Sequence, residues 1–429
     1  MVFKKHPLLI LFSLGLILRL CLIFLDFSFD VNSFITWGRD AFVLGFRGFY
    51  ERPSSAVFAN VYPNYPPLAV YLFYLSHGLY TLVKTLVWQL NVSFPVFPSQ
   101  LVFFFDARST LAAFYKLPSI FSDLGIAFTL VLFVRKLFPK KKSYSMLAAS
   151  LVLFNPAFFY NSAYWGQTEA ISIFFLLLSF YFLLFSKKAV VVPILFTLAL
   201  LSKQSAIVFV PVFLLLYFLK FKMNVVKGVL ISLIIFWISF FPFYKSGDIL
   251  LFPFTTYFKR VLGASGLPFI SNHAFNFWAL ISQWKNIPDT IYLLGVRYQF
   301  WGYLLTGFFI VFILKILVKR KFSSSNILLA IGLTAFAAFL FLTKIHERHF
   351  EQVLPFLIPA ALQDKHIMKV FVALSFVHFL NLYHNWPVPK VDVLISFVHN
   401  PLVVNFFIVT FLGLFFYLFR YYFNRRSRA

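Results

Sequence analysis

The sequence predicts an all-α integral membrane protein, and three observations support this fold class. The chain of 429 residues is 61% hydrophobic and only 12% charged, whereas soluble domains carry about 25% charged residues. Apolar runs long enough to cross a bilayer recur along the chain. Lys and Arg residues, which give a net charge of +25, cluster at the ends of these runs, as they do where they orient membrane helices. This composition excludes a soluble globular protein, and we read the positive charge as a topology signal rather than as a nucleic-acid surface.

We predict a single polytopic domain over residues 1–429 with twelve transmembrane helices, each of about 20 residues or somewhat fewer. The second of its two long extracytoplasmic segments, residues 244–299, contains Trp278 and Trp284 and is expected to hold interfacial helices with aromatic anchors. The candidate spans are residues 7–25, 117–134, 145–160, 170–186, 189–201, 206–219, 226–243, 300–318, 326–342, 350–363, 367–385 and 403–419.

The first long extracytoplasmic loop covers residues 26–115 and leaves the number of crossings open. Its segments 66–90 and 96–115 are both apolar, so either both cross the membrane, giving fourteen spans, or both lie in the interface as interfacial or re-entrant helices. Pro95 and Pro98, with two charged residues that follow, interrupt the second segment and favour the interfacial alternative.

The positions of the charged residues predict the orientation of the chain. If the N-terminus is cytoplasmic, all the large basic clusters fall on the cytoplasmic side, as does the C-terminus. Of the 13 acidic residues, only Asp364 then lies in a cytoplasmic loop. Arg19 interrupts the first span and no small-residue cleavage site follows, so we predict a retained helix rather than a signal peptide. With no retention signal recognised, we expect a prokaryotic plasma membrane. The basic clusters are Lys4-Lys5, Arg135 to Lys142, Lys187-Lys188, Lys220 to Lys227, Lys315 to Lys321, Lys365 and Lys369, and Arg420 to Arg428.

Two candidate motifs lie in the first outer loop. Asp30 is placed just past the first span, where its carboxylate can act as a general base; a solvated or helix-capping Asp is the alternative. Asn64-Tyr65-Pro66-Pro67-Leu68 forms a rigid proline elbow before an apolar helix. This elbow is either a helix start or a wall of an outer groove, and both can hold.

Further polar residues are predicted near the outer ends of the next spans. Asp123 is an intramembrane acid, and such residues are usually functional or paired with a neighbouring helix. Trp165, Gln167 and Glu169 share one short turn. Their aromatic face and acceptors suit a sugar ring; the alternative is an interfacial Trp with a capping Glu.

Cationic side chains predict an anion site outside the membrane. Lys203 lies between two spans, and His346, Arg348 and His349 open the tenth span at a helix N-terminus, where the dipole already favours an anion. A lipid phosphate is the natural ligand. The alternative is cation pairing with Glu347 and Glu351.

A metal or redox site is not expected. The lone Cys21 excludes a disulfide framework, a four-cysteine zinc site and a CxxC motif. The spacing of His346 and His349 is only weakly typical of metal ligands, and no third ligand stands out. We therefore expect no metal and no other cofactor.

Together these motifs, in this order and on this face, resemble the GT-C superfamily of polytopic glycosyltransferases that use dolichyl- or polyprenyl-phosphate sugars. The resemblance implies that Asp30 is the catalytic base and that the His346-Glu347-Arg348 segment helps bind the donor. It extends over most of the chain and includes Trp37 in the first loop and Glu169, where family members often have Asp.

The function expected from this resemblance is transfer of a hexose, mannose- or glucose-like, from a polyprenyl-phosphate donor to an acceptor hydroxyl of a glycan, lipid or protein, with inversion. Arg348, His346, Lys203 and His349 are expected to bind the donor phosphate. The expected sugar- and acceptor-binding residues are Trp37, Tyr65, Asp123, Trp165, Gln167, Glu169 and Glu347. Two other classes stay open: a flippase or transporter of lipid-linked glycans, which would place polar residues mid-membrane, and a glycan ligase or polymerase.

Overall fold

The computed structural model describes residues 6–25, 28–264, 267–319 and 324–424. It is 76% helical, which confirms the nearly all-α class. Some residues of the predicted topology lie outside the described residues: Lys4, Lys5, Asp26, Arg320, Lys321, Arg425, Arg426 and Arg428.

The helices follow one another with short connections over most of the described chain. They are α1 (Pro7–Leu22), α2 (Phe29–Leu44), α3 (Pro67–Ser93), α4 (Gln100–Asp106), α5 (Arg108–Leu137), α6 (Lys142–Leu153), α7 (Pro156–Phe159), α8 (Glu169–Phe185), α9 (Val191–Ser202), α10 (Val210–Phe221), α11 (Asn224–Phe240), α12 (Phe252–Thr256), α13 (Phe277–Ser282), α14 (Tyr298–Lys319), α15 (Ser324–Phe341), α16 (Leu354–Ala361), α17 (Lys365–Asn385), α18 (Asp392–His399) and α19 (Pro401–Asn424). Turns of 3₁₀ helix occupy Phe49–Glu51, Gln204–Phe209, Phe241–Phe243 and Glu347–Val353, and π-helical turns occupy Tyr160–Trp165 and Tyr257–Leu262.

Seven helical segments in the described part of the chain are long and apolar enough to cross a membrane, or eight if one bent pair forms a single span. This supports an integral membrane protein. Three shorter apolar helices, α1, α8 and α9, correspond to further predicted spans. The seven segments are Arg108–Leu137, Gln204–Phe221, Asn224–Phe243, Tyr298–Lys319, Ser324–Phe341, Lys365–Asn385 and Pro401–Asn424; the bent pair is Lys142–Leu153 with Pro156–Trp165, at 41°.

The first long loop contains a helix that was not predicted, α2 (Phe29–Leu44), in addition to helices in both of its apolar segments. Residues 67–90 lie in one 27-residue helix, α3, which begins at Pro67, and Pro66 is its N-cap residue. Residues 96–115 do not form one helix, because Ala107 is extended and separates α4 from α5. The second half of this segment therefore continues into the same helix as the predicted span 117–134.

The second long loop, residues 244–299, contains only short helices. α12, the following π-helical turn and α13 are each five or six residues long. A small antiparallel hairpin, β1 (Tyr292–Leu293) and β2 (Val296–Arg297), precedes α14. No sequence signal led us to expect this hairpin.

The helices differ widely in how much of their surface is buried by protein. In α15, 89% of the residues of the most apolar 18-residue stretch are buried, whereas in Asn224–Phe243 only 11% of such a stretch is buried. α15 therefore lies in the centre of the bundle, against α14, α16 and α19, and α11 presents most of its apolar surface outward. Such a surface requires lipid as its solvent.

A helix break positions the turn that contains Trp165, Gln167 and Glu169. Asn155 caps α7 by accepting a hydrogen bond from the backbone N–H of Ala157, and Pro156 occupies the first helical position. The π-helical turn that follows ends at Gly166, whose φ of +88° lies in the left-handed region that favours glycine. The chain then reverses into α8, which begins at Glu169.

Candidate functional site

A cleft of about 480 Å³ brings together residues from distant parts of the chain. The residues that line it come from the start of α2, the proline elbow, the turn between α9 and α10, and the segment before α16. Six predicted site residues line the cleft: Asp30, Tyr65, Lys203, His346, Arg348 and His349.

Asp30 lies in the first turn of α2 with a quarter of its side chain exposed to the cleft. Its Oδ2 accepts a hydrogen bond from Nε2 of Gln167 at 2.8 Å. Gln167 is completely buried, so it does not line the cleft but orients the carboxylate. The turn at Gly166 and the start of α2 approach closely here, since a Cβ on Gly166 would lie 2.6 Å from Cγ2 of Val31.

Arg348 is surrounded by three carboxylates. Its guanidinium nitrogens lie 3.1 Å from Oε1 of Glu347, 3.3 Å from Oε1 of Glu169 and 3.8 Å from Oδ2 of Asp30. Burial acts to lower the pKa of Arg348, but Asp30, Glu347 and Glu169 outweigh it and raise that pKa, so the guanidinium stays charged. Much of its charge is therefore balanced within the protein, and Glu347 is the pairing partner that the sequence analysis left open.

Lys203 and Glu169 form a second, fully buried ion pair beside this cluster. Nζ of Lys203 also lies 3.3 Å from the hydroxyl of Tyr65. Burial acts to lower the pKa of Lys203, whereas the carboxylate of Glu169 raises it, and the net shift is upward. Because Glu169 also contacts Arg348, one carboxylate joins both cations, and the turn after α9 is tied to the segment before α16.

The two histidines supply neutral donors or acceptors rather than charge. Burial, followed by the charge of Arg348, lowers the pKa of His346 well below its usual value. Burial likewise lowers the pKa of His349 to about 3. Backbone bridges from Asn272 and His273 hold His346 in the lining of the cleft. The electrostatics of the predicted anion site therefore rest on Arg348, Lys203 and the partly exposed Lys344, which pairs with Asp289 at 3.4 Å.

Asp123 lies in a different polar network, outside the lining of the cleft. Its Oδ2 is 2.8 Å from Nε of Arg19, and both side chains are completely buried. The hydroxyl of Ser162 donates to the same carboxylate. Of the two roles considered for Asp123, the structure contains the ion pair with a neighbouring helix. The sequence analysis noted Arg19 but did not identify Asp123 as its partner. Glu351 is also buried, and Asn161 donates to it.

The two predicted sugar-binding tryptophans pack inside the protein. Trp37 is completely buried among Phe34, Tyr65 and Phe73, and its indole N–H donates to the hydroxyl of Ser54 at 3.0 Å. Trp165 stacks on Trp386 with ring centroids 5.4 Å apart and is 3% exposed. Neither lines the cleft, so of the predicted aromatic contacts only Tyr65 reaches it.

Several polar residues of the cleft were not among the predicted site residues. Asn64 donates to the carbonyl of Ala264, and Gln352 donates to the hydroxyl of Ser205. Asn64 belongs to the predicted proline elbow, and Ser205 and Gln352 lie within one helical turn of Lys203 and His349, so assigning roles to whole motifs would have found them. The further lining residues with polar side chains are Asn60, Gln204, Thr343 and Lys344.

Within residues 6–25, 28–264, 267–319 and 324–424, no group of three or more His, Cys, Asp or Glu side chains is arranged to hold a metal ion. His346 and His349 stand edge to face with ring centroids 5.9 Å apart.

Comparison of the chain with protein-family models gave no match. Comparison with curated proteins also gave no match.

Proposed function

We propose that this protein is a membrane glycosyltransferase that moves a hexose from a polyprenyl-phosphate donor to an acceptor hydroxyl on the extracytoplasmic face, with inversion. The proposal rests on the sequence resemblance to the GT-C superfamily and on the composition of the cleft. The long apolar helices support an integral membrane protein. A prokaryotic plasma membrane with both termini cytoplasmic is part of the proposal.

The observation that carries the proposal is the position of Asp30. A carboxylate that is one-quarter exposed opens into a cleft, while a buried amide holds one of its oxygens at 2.8 Å. That arrangement leaves Oδ1 available to an incoming hydroxyl and limits the motion of the group, as a general base requires.

The chemistry balances with a single base. The acceptor oxygen gives its proton to Asp30 as it attacks the anomeric carbon, and the bond from that carbon to the phosphate oxygen breaks. The electron pair leaves with the polyprenyl phosphate, which needs no proton at neutral pH. Attack from the face opposite the leaving group inverts the anomeric centre. This plan differs from the pair of carboxylates used in glycoside hydrolysis.

Binding of the donor phosphate is assigned to the cationic and histidine side chains that line the cleft beside Asp30. Arg348 and Lys344 bring positive charge there, and the neutral His346 and His349 bring ring N–H groups. Because Arg348 already contacts three carboxylates, the phosphate must compete with them for it. The charge of the leaving group is then stabilised by a preorganised cation rather than by a mobile one.

Turnover of short-chain polyprenyl-phosphate sugars by the purified protein tests the proposal. We expect one donor of a mannose and glucose panel to be consumed with a mixed acceptor extract, and Asp30→Asn to reduce turnover at least about 100-fold without loss of donor binding. Asp392→Asn is the matched control, since Asp392 is an exposed acid at the start of α18 outside the cleft. Equal turnover by wild type and Asp30→Asn would remove Asp30 as the base.

A second candidate, a transporter of lipid-linked saccharides, is favoured by one observation. α6 and the segment Pro156–Trp165 form a broken span bent by 41°, a feature of transporter binding sites. The broken span carries Asn161 and Ser162, which contact the buried acids Glu351 and Asp123. Movement of an intact donor across proteoliposomes, unchanged in Asp30→Asn, would support transport over transfer.

A further inference from the structure

A second cleft lies where the start of α1 meets the end of α5, away from the cleft that Asp30 lines. It has a volume of about 840 Å³ and lies between the start of α1, the end of α5 and the start of α6. Along α5, Lys116 lies beside Gly166, near the first cleft, and Arg135 lines the second. A separation of 19 positions corresponds to roughly 28 Å of helix, about the thickness of the hydrocarbon core.

The charge around this cleft is of one sign. Arg135, Lys141 and Lys142 line it and are exposed, His6 joins them, and none of the residues that line it is acidic. In the described part of the chain, neither Arg135 nor Lys142 forms an ion pair with a carboxylate. Lys141 donates to the hydroxyl of Tyr144 and lies over its ring. Adjacent like charges repel, so an anion bound among them would relieve an unfavourable arrangement.

The start of α6 offers donors to the same space. α6 has 12 residues, and its N-cap residue, Lys141, provides no side-chain cap, so its first backbone N–H groups lack a side-chain acceptor. Ser145 lines the cleft, is 5% exposed and has no hydrogen-bond partner among residues 6–25, 28–264, 267–319 and 324–424. The Ser145 hydroxyl is therefore available to hydrogen-bond a ligand in the cleft.

The remaining walls of the cleft are apolar. Leu9 and Met146 are 66% and 40% exposed, and Phe138 and Leu8 contribute partly buried faces. A free phosphate ion would leave these walls without a contact, whereas a phospholipid would place its phosphate among the cations and the start of its acyl chains along Leu9 and Met146.

We propose that this cleft binds the phosphate-bearing headgroup of an anionic membrane lipid. Basic pockets between helices at a membrane surface bind such headgroups, and each Lys or Arg near the surface contributes on the order of a fivefold change in affinity. The site is independent of the proposed transfer reaction, since the two clefts share no lining residue and Arg135 lies roughly 28 Å along α5 from Lys116.

Lipid retention by the full chain in detergent, measured by native mass spectrometry with added phosphatidylglycerol or phosphatidylcholine, tests the proposal. We expect wild type to retain phosphatidylglycerol selectively, and Arg135→Gln/Lys141→Gln/Lys142→Gln to bind it at least about tenfold more weakly. The matched control is Lys187→Gln/Lys188→Gln, an exposed basic pair in another loop that does not line this cleft. Lys141→Arg/Lys142→Arg keeps the charge and should retain the lipid.

Three results would overturn the proposal. One is equal retention of the two lipids by wild type. Another is a loss in the Lys187/Lys188 control as large as that in the triple variant. The third is displacement of phosphatidylglycerol by millimolar glycerol phosphate or inorganic phosphate, because the cleft would then bind a free phosphate and not a lipid.

Discussion

Replacing Asp123 by leucine is expected to destabilise the protein strongly, because it leaves the guanidinium of Arg19 buried without its counter-charge. The two side chains are fully buried and 2.8 Å apart. Removing one member of such a pair costs about 3–5 kcal/mol, whereas replacing both with apolar residues is often close to neutral. We therefore expect Arg19→Met/Asp123→Leu to lie within about 2 kcal/mol of wild type. Arg19 also donates to the carbonyls of Gly15 and Leu153, which accounts for a residual cost in the double variant.

The free energies can be measured from unfolding in mixed micelles with increasing dodecyl sulfate, followed by tryptophan fluorescence. The double-mutant cycle should give a coupling energy of at least about 2 kcal/mol. Donor turnover by the double variant should stay near that of wild type, since Asp123 does not line the cleft. A double variant as unstable as Asp123→Leu would refute the ion-pair reasoning. A stable but inactive double variant would return Asp123 to the acceptor-binding role predicted from the sequence.

Three further predictions concern the first cleft. Gln167→Leu removes the hydrogen bond to Asp30, and we expect kcat to fall about tenfold or more with donor binding unchanged, measured by turnover and donor binding. Gly166→Ala would place a methyl group 2.6 Å from Val31 on a residue whose φ is +88°, so we expect about 1–3 kcal/mol of destabilisation. Adding Val31→Ala should relieve the steric contact but not the cost of the backbone angle. Because burial lowers the pKa of His349 to about 3, the unfolded state binds more protons between about pH 3 and 6.5. Stability should therefore fall as the pH drops through this range, by up to about 1.4 kcal/mol per unit.

Each of these predictions has a contrary outcome. Unchanged kcat in Gln167→Leu would show that Asp30 is positioned without the amide. Full recovery of Gly166→Ala by Val31→Ala would show that the backbone angle costs little. For the histidine, melting temperatures of wild type and His349→Gln at pH 7 and pH 5 are compared, and equal losses in both proteins would exclude His349 as a contributor.

The membrane class and the order of the helices could be predicted from the sequence, because both depend on local properties. An apolar helix of about 20 residues is long enough to cross a bilayer wherever it occurs in the chain, and the seven long segments coincide with predicted spans. Pro67 also marks a helix start in the sequence, and α3 begins there, whereas the predicted span 145–160 is interrupted between Leu153 and Pro156. The predicted total of twelve or fourteen crossings stays a prediction, since the shorter helices do not meet the same length.

The tertiary structure decided which polar residues meet. Asp30 and Arg348 are more than 300 positions apart, and no local pattern indicates that one guanidinium contacts Asp30, Glu169 and Glu347. Whether the buried acid Asp123 pairs or binds a ligand was likewise open until α1 brought Arg19 beside it. Buried charges and hydroxyls are satisfied by whichever element packs against them, and that packing is a property of the whole bundle.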